Sequence, residues 1–118
     1  MNGSPDQWPA HLDAVVAAPA HHRVLLENEH VRVLETVIVP GETVPLHTHR
    51  WASVYYVVSA GDFVRRDAQG NVTLDSRGHS RKLGPGDAAW APPLDPHTLE
   101  NVGDTVIHII STEIKRSA

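Results

Sequence analysis

Gly41-Glu42-Thr43-Val44-Pro45-Leu46-His47-Thr48-His49 and, further along, Gly86-Asp87-Ala88-Ala89-Trp90-Ala91-Pro92-Pro93-Leu94-Asp95-Pro96-His97-Thr98-Leu99-Glu100-Asn101 are the two stretches that decide the fold. Each opens on a glycine turn, runs through strand-prone residues and ends at a histidine-bearing corner. On a strand, residues two apart project to the same side. His47 and His49 therefore present two imidazoles from one face. His97, from a distant segment, completes a set that holds a divalent metal and leaves coordination positions open.

The sequence around these stretches is built of short strand-like runs. Arg23–Glu27 is followed by the turn-prone Asn28-Glu29, then by His30–Val39, in which Val31, Val33, Val37 and Val39 keep strand phase while Glu35 falls in the same row. Ser53–Val58 is almost continuously apolar, as expected for a strand in a sheet covered on both faces. Asp67-Ala68-Gln69-Gly70-Asn71 and Val102-Gly103-Asp104 carry turn chemistry and predict two hairpins. Arg81-Lys82-Leu83 leads into the tight turn at Gly84-Pro85-Gly86-Asp87. About eight to ten short strands with regular turns predict an antiparallel all-β sandwich or barrel. Residues 1–20 differ, with Gly3, Pro5, Pro9 and Pro19 close together and one short helical stretch, Leu12–Ala18, ended by Pro19. They predict an N-terminal arm over a sheet edge or a neighbouring subunit, or else a partly disordered tail, with residues 21–118 as the domain.

Composition narrows the function. The chain has 118 residues, 41% apolar and 20% charged, the balance of one ordinary globular domain. A formal net charge of −4 and the lack of any basic cluster beyond pairs such as Lys115-Arg116 argue against nucleic acid as a partner. No apolar run approaches the roughly 20 residues that cross a bilayer, so no membrane partner is expected. The chain has no cysteine, which excludes thiolate ligands and a cysteine nucleophile. With no secretory-type start, the expected location is cytoplasmic. Gly-x-Ser-x-Gly and phosphate-binding glycine loops are absent.

The two stretches resemble the two motifs of the cupin superfamily. Gly41, five residues, then His47-Thr48-His49 is similar to the first. Gly86, five residues, Pro92, His97 five positions on and Asn101 four after that is similar to the second. The resemblance covers residues 23–113. It implies a double-stranded β-helix, or jelly-roll barrel, with a metal inside and a homodimer as the assembly. Two positions depart from the pattern. The family's first motif carries a metal-binding glutamate just after the second histidine; here the equivalent is Ser53 or, counted from Gly61, Val54. Leu94 stands where the second motif has glycine.

Three neutral imidazoles without a carboxylate are similar to the centres of three-histidine cupin dioxygenases. That likeness implies Fe(II) on His47, His49 and His97, with a small chelating substrate; Zn, Ni, Mn or Cu are the alternatives. The competing readings are a non-redox isomerase or lyase and a non-catalytic metabolite-binding cupin. Trp51, Ser53, Tyr55, Trp90 and His108 are candidates to line the pocket, and Tyr55 or Ser53 to hydrogen-bond substrate. His11, His21, His22 and His30 fall in the arm or the first strands and read as structural. Arg32, Glu35 and Arg65 read as surface ion-pairing residues.

Overall fold

The computed structural model describes residues 4–79 and 82–115; Arg81 and Arg116 lie outside the described residues. Among the described residues, nine strands form two antiparallel sheets. In chain order they are β1 (His22–Glu27), β2 (Val31–Ile38), β3 (Thr43–His49), β4 (Ser53–Ser59), β5 (Phe63–Asp67), β6 (Val72–Asp75), β7 (Ala88–Ala91), β8 (Leu94–Asn101) and β9 (Ile107–Ile114). One sheet has the order β1-β2-β9-β4-β7, the other β3-β8-β5-β6. The sheets close over a core of Ile38, Val44, Ile107 and Ala18, with Phe63, Leu99 and Ile109 packed against it.

The glycines that open the two motifs have a conformational reason. Gly41 (φ 87°) and Gly86 (φ 90°) both lie in the left-handed region, where a Cβ would be strained although it would meet no atom within 4 Å. The asparagine that ends the second motif ties a corner. Asn101 is buried; its amide donates to the Ile38 and Thr105 carbonyls at 2.9 and 2.8 Å, and its Oδ1 accepts from the Gly103 backbone at 3.0 Å.

One local expectation holds and several change. The hairpin at Asp67–Asn71 forms, with Asp67 Oδ1 accepting from the Gln69 and Asn71 backbones. Val102-Gly103-Asp104 is no hairpin loop, because β8 and β9 belong to different sheets and this segment crosses between them. Lys82 and Leu83 lie outside any strand. On β2 the row turned inward is Arg32, Leu34 and Ile38, not the valine row. On β4, Ser53 and Val57 are buried, while Val54, Tyr56 and Val58 of the outer row are exposed, so this sheet is covered on one face only within the chain.

The N-terminal segment packs along β3, an edge of the four-stranded sheet, through a bridge between Asp13 and Thr48. A short helix, α1 (Ala14–Ala17), begins at Asp13, whose carboxylate accepts from the Val15 backbone at 3.4 Å. Ala14 and Ala18 are fully buried, which fixes the segment to the barrel.

Candidate metal centre

The site follows from the register between β3 and β8. His47 sits directly opposite His97, and bulges on either side of His47 break the simple alternation of β3. The rings of His47 and His97 lie 4.2 Å apart, those of His47 and His49 4.9 Å, and those of His49 and His97 5.7 Å. The three sequence candidates are therefore brought together at one end of the barrel.

A fourth imidazole joins them. His22 begins β1 opposite Thr36, in the inward row of the other sheet, and its ring lies 5.0 Å from that of His47 and 5.4 Å from that of His49. The potential ligand atoms of His22, His47 and His49 all fall within 4.8 Å of one another. His22 was legible only as half of a His21-His22 pair. Alternation allows one member of such a pair to face inward, but which one depends on the pairing of β1 with β2.

Each of the four rings is fixed through the same nitrogen. Nδ1 of His47 donates to the Pro45 carbonyl at 2.7 Å and Nδ1 of His97 to the Asp95 carbonyl at 2.6 Å. His22 donates to the Ala18 carbonyl at 3.0 Å, and His49 to Glu113 Oε2 at 3.2 Å. A carbonyl only accepts, so the proton sits on Nδ1 and the Nε2 lone pair is left for an ion, the usual arrangement behind metal-binding histidines. Burial and the neighbouring rings keep His22, His47 and His97 neutral. Burial, then the neighbouring His97 and His49, lowers His47 to about 2. Burial lowers His97 to about 3, with His49 and Arg65 adding to the effect. Burial and His49 lower His22 to about 4. Neutral, buried, oriented imidazoles suit a late first-row divalent ion.

Glu113, on β9, extends the site backward. It is 1% exposed, and its Oε1 accepts from Arg32 Nε at 2.6 Å while Oε2 holds His49. Arg32 in turn donates to both oxygens of Asp13, at 2.9 and 3.1 Å. Burial alone would depress the Arg32 guanidinium; the hydrogen bonds to Asp13 and Glu113 outweigh it and hold the group charged. The sequence reading of Arg32 as a surface residue is thus corrected: it links the N-terminal segment to a histidine of the cluster.

The pocket candidates separate into two groups. Ser53 and Tyr55 share the inward row of β4 with Val57. Trp51 stands under three cations, with Arg32 4.9 Å, Arg50 4.6 Å and Lys115 5.3 Å from its ring centre. Trp90 pairs with Val54 on the outer face and is 61% exposed. His108 alternates outward from the buried Ile107 and donates to Glu35 at 2.8 Å, away from the histidine cluster. Glu35 also pairs with Arg23 at 2.9 Å, as a surface residue does.

A cupin-domain family model matches residues 34–113. The chain belongs to the cupin family. A cupin domain from Bordetella pertussis is similar in structure at 26% identity and a TM-score of 0.64, covering 80% of this chain and 92% of that one. A double-stranded β-helix cupin from Methanocaldococcus jannaschii shares the fold at 14% identity and a TM-score of 0.56, over 79% of this chain and 77% of that one. The polyketide cyclase RemF from Streptomyces resistomycificus does so at 19% identity and a TM-score of 0.54, over 97% of this cupin and 78% of its own length. No sequence among the curated proteins matches significantly.

Proposed function

We propose that this cupin holds one divalent transition metal through His22, His47, His49 and His97, and that it works as a non-haem Fe(II) dioxygenase on a small chelating organic substrate. The observation that carries the reading is the common fixing of the four rings through Nδ1, which leaves the Nε2 atoms uncommitted in a buried cluster. A bound ion of this kind supplies Lewis acidity and, as iron, one-electron chemistry with dioxygen. The chain's own contribution is orientation and exclusion of water. Glu113 holds the ring of His49, the carbonyls of Ala18, Pro45 and Asp95 hold the other three, and burial keeps His22, His47 and His97 from bulk solvent. Ser53 and Tyr55, on the inward row of β4, are the side chains assigned to hydrogen-bond substrate.

An isomerase or lyase on the same ion needs a general base. Glu113 does not serve as one, since both its oxygens are engaged, one by Arg32 and one by His49. Elemental analysis of protein grown in defined medium should find about one ion per chain, lost in His47→Ala and strongly reduced in His22→Ala. Oxygen uptake that depends on added iron and a chelating substrate supports the dioxygenase. Full metal content in His47→Ala would remove the centre, and iron-loaded protein inert to oxygen with every chelating substrate tried would leave a binding protein.

The assembly we propose is a homodimer that covers the outer face of the five-stranded sheet. Tyr56, Trp90, Val54 and Ile114 are exposed there, apolar groups that a lone chain leaves in water. Sedimentation equilibrium reading a single-chain mass at micromolar concentration would overturn it.

A further inference from the structure

The pocket beside the histidines contains a guanidinium, that of Arg65, which no carboxylate among the described residues touches. Arg65 lies on β5 opposite Leu99, in the same row as Phe63, which packs on the core. It therefore points into the barrel, contrary to its reading as a surface residue. It lines a pocket of about 120 Å³ together with His97, Asp95, Asp67, Thr73 and Leu94.

Among the described residues, the Arg65 guanidinium makes no hydrogen bond or ion pair. Burial lowers its proton affinity, and Tyr55 and Asp95 attract it across space. Asp67, the other acid of the pocket, is already spent on its own turn, accepting from the backbones of Gln69 and Asn71 and from the Asn71 amide. A partly buried guanidinium with five donors and no acceptor in contact is costly, unless something that enters the pocket supplies the acceptor. The group best matched to that planar fork is a carboxylate, which it takes in two parallel hydrogen bonds. Ligand pockets for drug-sized molecules run to roughly 300–1,000 Å³, so this one selects a molecule of a few carbons.

We propose that Arg65 is the specificity-determining residue of this cupin and binds the carboxylate of a small organic acid, whose other end reaches the histidine cluster past His97. The proposal rests on the reading of that cluster as the metal centre, and it names the substrate class: short carboxylic acids bearing a second donor group. Two features favour an anion over a neutral chelator. The imidazoles bring no charge to offset the ion, and Arg65 adds a second cation beside them.

The test uses malonate as the probe and malonamide as its neutral counterpart of similar shape. Both are titrated by calorimetry into metal-free and Zn(II)-loaded full-length protein. Wild-type zinc protein should bind malonate at least tenfold more tightly than malonamide. Arg65→Gln should weaken malonate by about ten- to a hundredfold, the range of a charge-assisted pair, and leave both malonamide binding and zinc content unchanged. Arg65→Lys, which keeps the charge and loses the fork, should fall between them. Should Arg65→Gln fail to fold, the wild-type protein decides the matter by 15N NMR. The Arg65 Nε resonance should shift with malonate and stay still with malonamide. Unchanged malonate affinity in Arg65→Gln, or an Arg65 resonance indifferent to malonate, overturns the proposal while zinc-dependent binding still upholds the metal centre. Arg65-dependent malonate binding to a protein that takes up no zinc overturns the metal centre and upholds the carboxylate site.

Discussion

The two faces of β2 and its neighbours in the five-stranded sheet run against the usual pattern. The inner face carries the charged chain Asp13–Arg32–Glu113 and ends at His49, with Arg32 and Glu113 shielded from water and Asp13 and His49 half-buried. The outer face carries Val54, Tyr56, Val58 and Ile114, all exposed. Alternation on a strand says that two faces differ, but not which one is inside. Here the inside is the face that builds a site, and its polar groups persist because each has a partner. The outer face has apolar groups in excess, relieved by the Arg23–Glu35–His108 cluster.

The largest effect should come from breaking the inner chain. Arg32→Ala leaves Asp13 and Glu113 as buried carboxylates without their cation, and the loss of stability should be about 3–5 kcal/mol. Urea denaturation measures it, and a loss under about 1 kcal/mol would mean the chain is wetter than its burial indicates. Glu35→Gln on the outer face is the matched control, with an expected denaturation midpoint equal to wild type. Equal losses for the two variants would erase the contrast between the faces.

Acid comes next. The unfolded chain protonates its histidines near 6.5, whereas His22, His97 and His47 resist until about 4, 3 and 2. The unfolded state thus binds more protons below 6.5, and this contribution to stability is present above that pH and lost as pH falls. Each responding ring removes up to about 1.4 kcal/mol per pH unit between 6.5 and its folded value. Metal-free protein followed by circular dichroism should lose stability steeply from pH 6 to 4, and a flat profile would contradict neutral buried rings. The smallest thermodynamic effect is expected from Tyr56→Glu, within about 0.5 kcal/mol for the single chain, as for exposed sites generally. The same variant should shift the sedimentation mass from two chains to one, so the outer face would register in assembly and the inner face in folding.

Much of this was legible beforehand. The glycines Gly41 and Gly86, the histidines at fixed spacing and the asparagine Asn101 each answer a local demand, so a short window of sequence reveals them. His22, Glu113 and Arg65 were missed or misread for a shared reason. Their roles arise from how strands pair, β1 with β2, β9 with β2 and β5 with β8, and the last two of these pairings join strands far apart in the chain. Arg32 and Arg65 look alike as single charges on short strands. Among the described residues one is hydrogen-bonded by two acids and the other by none, and only register distinguishes them. The continuous apolar run of β4 predicted cover on both faces, and within one chain only the inner face has it.

The four histidines do not come from one sheet. His22 stands on the five-stranded sheet, the other three on the four-stranded one, and β1 is an edge strand with few buried side chains of its own. A cation gripped by both would act as a clasp, pinning the loosest margin of the barrel to the opposite wall. Loading the protein with zinc should therefore slow amide exchange along His22–Val24 far more than in β5 or β6, making the mouth of the barrel a place where occupancy and rigidity are the same event.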